Sequence, residues 1–270
     1  MKRVGIYIPT LNKIEFLALC VKSIYANTDP ILFDLIICDN ASDDGTKEWC
    51  IEYLQRQYTN VRYVRHPENY GFAKCLNVSI QIVNDFDYFL FLNNDTIVTP
   101  QWLESMLECA EHRERIGIVG PVSNYVGGSQ MIKVNLPPLP SFDFSIVNEV
   151  ARKVRDKFDK VYTREGFISG FCMLIKKECW EEIGPYPENL LTWDDNYLSL
   201  LAQFKGWELY VDRGTFIYHF GSQTMGSDKA AKIIRQNREI FKQAVRQKIR
   251  EWESMKKAEK VLSKHLIGGK

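Results

Sequence analysis

The chain has 270 residues, of which 45% are hydrophobic and 26% are charged, enough for the core of one large domain or two small ones. Its formal net charge of +1 excludes a uniformly acidic or basic protein. The charge is uneven, because residues 228–270 carry 13 Lys and Arg against 5 Asp and Glu, whereas residues 1–227 carry 22 against 29. The sequence therefore predicts a basic tail on an acidic body.

Cysteine usage and the first residues indicate the compartment. The seven cysteines form no C-x-x-C pair and mostly lie within apolar patterns, which is typical of reduced core residues in a cytosolic protein. The first apolar run stops at Pro9, too early for a signal peptide, and no apolar stretch is long enough to cross a membrane. We expect a cytoplasmic protein, with peripheral attachment to the inner face of a membrane as the alternative.

Four strand-then-helix units open the chain. The predicted strands cover residues 4–8, 35–38, 61–64 and 88–92. The first of the following helices ends near Ala26, and the others begin near Thr46, Phe72 and Pro100. Strands that alternate with helices favour an α/β fold, in which a parallel sheet has right-handed crossovers.

The pattern is less regular in the second half. A further strand is predicted over 116–120, and residues 124–165 form a long irregular segment, typical of a functional loop, with one charged helix near 147–159. A strand follows over 167–175, where Gly166 and Gly170 allow close backbone approach. After it we expect helices over 178–183 and from Trp193, strands over 207–211 and 215–218, and one or two helices from Asp228.

The strand predicted over 88–92 ends abruptly in Asn93, Asn94 and Asp95. In an open α/β sheet, ligands bind at the carboxyl ends of the strands. An Asp at that edge, with no His or Cys beside it, suits a hard divalent cation such as Mg²⁺ or Mn²⁺. The alternative is a strand followed by an Asn/Asp turn.

Polar residues also gather where the other three strands end. They are Pro9, Thr10 and Asn12 after the first strand, Asp39, Asn40 and Ser42 after the second, and Asn69 and Gly71 after the third. Each cluster alone is typical of a helix cap or turn, but four in register predict a crevice that binds a nucleotide. There, Asp39 would accept a hydrogen bond from a pyrimidine or a ribose. Lys74 would meet a diphosphate as a point charge or remain a solvated helix residue.

Two further clusters carry candidate chemistry. Asp194 and Asp195 lie at a predicted helix start, where mutual repulsion raises the pKa of one carboxylate and makes it a better general base. The alternative is an acidic first turn favoured by the helix dipole. Trp193 offers an apolar face to a sugar ring. His219 ends an apolar strand and would be a second metal ligand, a donor to phosphate or a structural histidine.

In combination, these residues resemble family 2 glycosyltransferases, with the rhamnosyltransferase-like branch the most similar. The resemblance covers about residues 3–225 and rests on the order and spacing of Pro9-Thr10, Asp39 with the 43–46 segment, Asn69-x-Gly71, Asn93-Asn94-Asp95, Asp194-Asp195 and His219-x-Gly-Ser. It implies the GT-A fold, a Rossmann-like, mostly parallel central sheet flanked by helices, here with a C-terminal helical extension.

The resemblance also implies roles for individual residues. Those that would line the nucleotide are Pro9, Thr10, Asp39 and Asn69. Asp95 would bind the metal as the last residue of a DxD-like motif, and His219 would complete the metal or diphosphate contact. Asp195 matches the position of the base, and Asp194 the acid before it. Asn93 replaces the first Asp of the common DxD, so the protein would place less negative charge beside the metal.

The function expected on this basis is metal-dependent, inverting transfer of a sugar to a hydroxyl acceptor, with Mn²⁺ or Mg²⁺ as cofactor. The donor would be a nucleotide diphosphate sugar of the UDP or dTDP type, and the acceptor a glycan, lipid-linked or protein-linked group in polysaccharide, glycolipid or glycoprotein synthesis. No nucleic-acid partner is expected. The alternatives are a sugar-phosphate nucleotidyltransferase and a non-catalytic nucleotide- or sugar-binding module.

We expect a catalytic domain over residues 1–227, divided into a nucleotide-binding half (1–123) and an acceptor-binding half (124–227), and a basic helical tail over 228–270. In the tail, apolar residues recur at helical spacing between Lys and Arg, at Phe241, Val245, Ile249, Trp252 and Met255. This pattern predicts a basic amphipathic helix. It would lie on an anionic membrane surface near a lipid-linked acceptor, or pack on the body or on a second subunit, forming a homodimer.

Overall fold

A computed structural model describes residues 2–134, 144–221 and 237–256 of the chain. The described strands are β1 (Val4–Thr10), β2 (Phe33–Asp39), β3 (Val61–Arg65), β4 (Tyr88–Leu92), β5 (Thr96–Ile97), β6 (Ile116–Val122), β7 (Tyr162–Glu165), β8 (Cys172–Lys176), β9 (Glu208–Phe216) and β10 (Tyr218–His219). Eight of them form one sheet in the order β3-β2-β1-β4-β8-β6-β9-β7, and β5 pairs with β10 in a second, two-stranded sheet. The neighbours β3, β2, β1 and β4 are parallel, as the alternating pattern predicted.

The described helices are α1 (Ile14–Asn27), α2 (Thr46–Glu48), α3 (Gln55–Gln57), α4 (Gly71–Ile82), α5 (Trp102–Glu111), α6 (Ser145–Phe158), α7 (Lys177–Ile183), α8 (Asp194–Phe204) and α9 over residues 237–256. A π-helical stretch, Trp49–Leu54, joins α2 to α3. Short 3₁₀ turns cover Pro30–Leu32 and Gly128–Gln130. No helix within the described ranges is both long and apolar enough to cross a lipid bilayer.

The sheet has a buried cluster of apolar side chains on each face. Successive residues of β4 alternate between them: Phe89 and Phe91 join one cluster, and Tyr88, Leu90 and Leu92 the other. Burial on both faces accounts for the continuous apolar run in this strand. Helices α4, α7, α8 and α9 contribute to the first cluster, whereas α1 and α5 contribute to the second. All seven cysteines are buried and free, as predicted.

Strand β8 begins at residue 172, five residues later than the start predicted at 167. Before it, the backbone N–H groups of Ile168, Ser169 and Gly170 donate to side-chain oxygens of Ser199, Gln130 and Asp195. These donors therefore serve loops and α8 rather than a sheet ladder, so the apolar pattern extends beyond the strand itself.

Two other parts of the sheet differ from the prediction. The strands expected over 207–211 and 215–218 are one strand, β9, followed by the short β10. Asp212, between the two predicted strands, is fully buried and accepts hydrogen bonds from the hydroxyls of Ser105 and Thr215, so the strand continues with a register shift against β6. Strand β7 was not predicted, because its half-buried and exposed residues show no apolar alternation.

The predicted nucleotide-binding half (1–123) and acceptor-binding half (124–227) both contribute strands to the main sheet. Strand β8 comes from the second half of the chain and pairs antiparallel with both β4 and β6 from the first half. The two halves therefore share one sheet and its core. The site at the sheet edge is accordingly built from both halves.

Candidate active site

Asp95 and His219 lie side by side where β4 ends. The two-stranded sheet pairs His219 with Thr96, which brings the end of the long β9–β10 segment back beside Asp95. Nε2 of His219 lies 3.2 Å from Oδ1 of Asp95, and these residues are only 8% and 6% exposed. The backbone N–H of Phe220 donates to the carbonyl of Asp95, which fixes the pair further. The structure thus brings together the two predicted metal ligands from 124 residues apart.

The imidazole of His219 is held on two sides. Its Nδ1 lies 2.7 Å from the backbone carbonyl of Tyr125, and its ring stacks on Phe171 at 5.2 Å and 18°. A carbonyl oxygen only accepts, so Nδ1 carries a proton and donates it, and Nε2 is the ring nitrogen that faces Asp95. Asn93 approaches the same Nε2, with Nδ2 at 3.5 Å.

This donor set fits a divalent cation. One carboxylate oxygen and one imidazole nitrogen suit Mn²⁺ or Mg²⁺, which complete their coordination with water and substrate phosphate oxygens. Over residues 2–134, 144–221 and 237–256, no group of three or more His, Cys, Asp and Glu side chains could hold a metal ion. Among the described residues, Asp95 and His219 would act as ligands, and a bound diphosphate would complete the coordination.

The remaining strand ends form one connected edge. Asn94 donates to the hydroxyl of Thr10 at 2.9 Å, which joins the ends of β4 and β1. Asn40, after β2, donates to Oδ1 of Asn69 at 2.8 Å and accepts from the N–H of Tyr70 at 2.7 Å. The four polar clusters thus meet at one edge of the sheet, as their positions predicted.

The loops after β1 and β2 are bonded to each other as well. The N–H of Asn12 donates to the hydroxyl of Ser42 at 2.8 Å, and Oδ1 of Asn12 accepts from the N–H of Asp43 at 2.8 Å. Pro9 is half-buried in β1 beside this junction, and Gly71 opens α4 with a φ of +74°, a value that favours glycine. Hydrogen bonds within the protein therefore hold the loops of this edge to each other.

Asp39 is fully buried and already has protein partners. Its Oδ1 accepts from the N–H of Ser42 at 2.8 Å, and its Oδ2 accepts from Nη1 of Arg65 at 2.5 Å and from the hydroxyl of Tyr63. A nucleoside contact at Asp39 requires a shared lone pair of Oδ2 or a shift of Arg65. The sequence prediction missed Tyr63 and Arg65, although their spacing of two places both on the same face of β3.

Two side chains that were predicted to contact the ligand contact other residues of the protein in the structure. Lys74 lies over the ring of Tyr70 at 4.3 Å, and its Nζ is 3.8 Å from Glu188. Trp193 stacks on Phe241 of α9 at 5.6 Å and 27°. The diphosphate contact of Lys74 and the sugar contact of Trp193 therefore stay predictions, and the Trp193 face that meets Phe241 is not open to a sugar.

The acid pair lies at the first turn of α8, and the two carboxyls differ in their surroundings. Oδ2 of Asp195 accepts from the N–H of Gly170 at 3.2 Å, and Oδ1 accepts from the N–H of Asn196 at 2.8 Å. Burial raises the pKa of Asp194 to about 7, and the neighbouring Asp195 carboxylate adds to that rise. Burial also raises the pKa of Asp195, against the opposing effect of the backbone N–H groups of Gly170, Asn196 and Asp195 itself. Asp195 is therefore the carboxyl better placed to carry the negative charge.

The segment before β8 connects the acid pair to the metal pair. Gly170 donates to Asp195, and the next residue, Phe171, stacks on His219 and accepts a backbone hydrogen bond from Asn93 at 2.9 Å. Sequence reasoning noted that Gly170 allows close approach but missed Phe171, which reads as one more apolar residue of a strand. The whole arrangement can hold a nucleotide diphosphate at the sheet edge and a general base beside it.

Comparison with known proteins agrees with this geometry. Residues 5–184, two thirds of the chain, match the sequence profile of the family described as Glycosyl transferase family 2. The chain is similar to N-acetylglucosaminyl-diphospho-decaprenol L-rhamnosyltransferase of Mycobacterium tuberculosis, with 22% identity over 230 residues that cover 77% of this chain and 73% of the relative. It is also similar to glycosyltransferase AglE of Haloferax volcanii, with 23% identity over 213 residues, which are 76% of this chain and 63% of that protein.

The fold resembles two solved glycosyltransferase structures. One is a mannosyltransferase of Pyrobaculum calidifontis in complex with GDP-Man and Mn²⁺, with a TM-score of 0.62 and 16% identity over 83% of this chain and 58% of that one. The other is GalNAc-T7 with UDP, GalNAc and Mn²⁺, with a TM-score of 0.64 and 16% identity over 81% of this chain and 44% of that one. The chain thus spans about half the length of these two proteins. It has the GT-A fold, belongs to glycosyl transferase family 2 and is a glycosyltransferase.

Proposed function

We propose that this enzyme catalyses the metal-dependent, inverting transfer of a sugar from a nucleotide diphosphate sugar to a hydroxyl acceptor. The observation that carries the proposal is the joint anchoring of Asp195 and His219 by the adjacent residues Gly170 and Phe171. A base and a metal-ligand pair held beside one strand edge are the two groups that this reaction requires.

Asp95 and His219 would hold the cation, which when bound neutralises the charge that grows on the departing diphosphate. The hydrogen bond from Nδ1 of His219 to Tyr125 keeps Nε2 free to ligate, and the stack on Phe171 fixes the plane of the ring. Asn94 and Thr10, bonded to each other at the edge, offer hydrogen-bonding groups to the ribose or the donor sugar.

Asp195 would act as the general base. One carboxylate oxygen of Asp195 takes the proton of the acceptor hydroxyl, while the hydroxyl oxygen of the acceptor bonds to the anomeric carbon from the face opposite the diphosphate. The bond from the anomeric carbon to the diphosphate oxygen breaks, and the diphosphate leaves with the electron pair. Asp194 would hold a proton at slightly acidic pH, because its pKa is raised to about 7, so the pair would carry one negative charge.

The relatives guide the choice of substrates. The name of the Mycobacterium tuberculosis relative specifies a rhamnosyl donor and a diphospho-decaprenol acceptor, and one fold neighbour was solved with UDP. We infer a donor of the UDP or dTDP type and a glycan, lipid-linked or protein-linked acceptor.

The experiment screens UDP- and dTDP-sugars for release of the nucleoside diphosphate, with Mn²⁺, with Mg²⁺ and with EDTA. Release that requires the cation, and that Asp195→Asn abolishes while nucleotide binding is kept, would support the proposal. Near-normal turnover of Asp195→Asn would remove this residue from its role. Binding without release would indicate a non-catalytic module, and synthesis of a nucleotide sugar from a sugar 1-phosphate and a nucleoside triphosphate would indicate a nucleotidyltransferase.

A further inference from the structure

Helix α9 packs along α8, the helix that begins with the acid pair. Phe241 of α9 stacks on Trp193, directly before Asp194, and Trp252 of α9 stacks on Phe204, the last residue of α8, at 5.5 Å and 17°. Lys205 adds its ammonium group over the Trp252 ring at 4.2 Å. The tail helix therefore contacts α8 at both of its ends.

The two stacked pairs have matching spacing. Trp193, directly before α8, and Phe204, the last residue of α8, are 11 residues apart, as are Phe241 and Trp252 of α9. The earlier residue of one segment stacks on the earlier residue of the other, and the later residue on the later one. The two helices consequently run in the same direction.

A third contact reaches the loop that precedes the acid pair. Oδ1 of Asn237, at the first described turn of α9, accepts the backbone N–H of Leu191 at 2.9 Å. Trp193 has a φ of 71°, an uncommon conformation for a bulky residue that requires support from its surroundings. Asn237 and Phe241 hold the two residues on either side of Thr192 and thereby support that conformation.

We propose that Phe241, together with Asn237, is a positioning residue for the base Asp195. This inference rests on the proposed function, since it concerns the same acid pair. The ring of Phe241 sets the place of Trp193, and the start of α8 sets the place of Asp195 relative to the N–H of Gly170. The hydrogen bonds of the nucleotide edge lie among other elements, namely the ends of β1 to β4 with β5 and β10. A substitution of Phe241 should therefore act on the base while those hydrogen bonds stay in place.

The test compares Phe241→Ala with Trp252→Leu, a matched control that removes the other stack on the same helix. We expect Phe241→Ala to raise amide hydrogen exchange over residues 190–196 and to lower kcat for nucleoside diphosphate release about 10- to 100-fold, with an unchanged donor KM. Phe241→Tyr keeps the ring and should restore both readouts. Trp252→Leu should lower Tm and raise exchange near residue 204, but keep most of kcat.

The outcomes distinguish the role of Phe241 from the proposed function. Unchanged exchange over residues 190–196 in Phe241→Ala would overturn the inference, and so would a loss of kcat that simply follows the loss of Tm in both variants. If Phe241→Ala does not fold, Phe241→Leu, which keeps apolar volume without the ring, takes its place. A wild-type protein that releases no nucleoside diphosphate would refute the proposed function, whereas the exchange result would still decide the role of Phe241.

Discussion

The backbone N–H of Gly170 donates a hydrogen bond to Oδ2 of Asp195 over 3.2 Å. The next side chain, Phe171, lies flat against His219, whose Nε2 faces Asp95. The N–H group that bonds to the candidate base and the ring that stacks on the candidate metal ligand therefore belong to adjacent residues. Any change in this segment affects both groups, which makes it the most sensitive place to test the site.

Gly170→Ala should fold normally but react slowly. Gly170 does not have a positive φ, and an added Cβ would lie 3.4 Å from Cβ of Asp195 and 3.6 Å from Oδ2 of Asp194, which are ordinary contacts. The methyl group would remove water from both carboxyls and raise their pKa values further. We expect a Tm near that of the wild type and turnover reduced at least about tenfold at neutral pH, with recovery at higher pH. A pH–rate profile of the variant with an unshifted ascending limb would contradict this account.

His219→Ala should weaken metal-dependent binding of the nucleoside diphosphate. The variant leaves Asp95 as the sole protein ligand of the pair, so affinity for UDP in the presence of Mn²⁺ should fall at least about tenfold. Calorimetric titration with and without EDTA measures this, and the metal-free affinity should change little. His112→Ala, at an exposed position, is the matched control. Equal losses of affinity with and without metal would indicate a purely structural histidine.

The titration of Asp194 should appear in the pH dependence of stability. Its folded pKa of about 7 lies above the ordinary Asp value, so its neutral form favours the folded state and that contribution is lost as pH rises from about 4 through 7. Asp194→Asn cannot ionise and should gain stability relative to the wild type as pH rises. Its Tm should rise by about 2–4 °C for each 1 kcal/mol of unfolding free energy gained.

Thermal melts between pH 5 and pH 8 test this expectation. The difference in Tm between Asp194→Asn and the wild type should grow across the range. Asp43→Asn, at an exposed position, serves as the control. A flat difference for Asp194→Asn would mean that the Asp194 carboxyl ionises as it does in the unfolded chain.

The strand ends were predictable because they depend on local sequence. An apolar run followed by Asn93, Asn94 and Asp95 marks the edge of a sheet buried on both faces, and the same holds for the other three edges. The pairing of Asp95 with His219 followed from a resemblance and from the need of Asp95 for a partner. The β5–β10 pairing that brings them together spans more than 100 residues, and no local pattern encodes it.

Two of the missed contacts join aromatic rings from distant parts of the chain. The apolar pattern around Phe171 is the same whether its ring packs in the core or stacks on an imidazole. The sequence around Trp193 is likewise the same whether its ring stacks on a sugar or on Phe241. Periodicity predicts that a side chain is buried, but not against which residue. The amphipathic pattern of α9 likewise indicated an apolar face without indicating whether a membrane or the body covers it.

Asp44 should contribute to stability through two helices at once. Its Oδ2 accepts from the N–H of Ile14, the first residue of α1, at 2.9 Å, and its Oδ1 accepts from the N–H and the hydroxyl of Thr46, the first residue of α2, at 3.2 and 2.6 Å. Asp44→Ala removes both caps and should lower the unfolding free energy by about 1–2 kcal/mol. Chemical denaturation measures this, and the neighbouring Asp43→Ala should change it little. Equal effects of the two substitutions would refute the capping role.

Removal of the tail should lower the stability of the catalytic domain, and not only its binding to a membrane surface. Val245 and Trp252 are each 7% exposed and belong to the same buried cluster as Leu198 and Leu201 of α8. Loss of one such aromatic side chain alone costs about 3–5 kcal/mol, so a chain that ends at residue 227 should melt at a much lower temperature and bind a hydrophobic dye. Differential scanning calorimetry and liposome sedimentation together decide the matter. A truncated chain that kept its Tm and lost only binding to anionic liposomes would show that the apolar face of α9 serves a membrane instead.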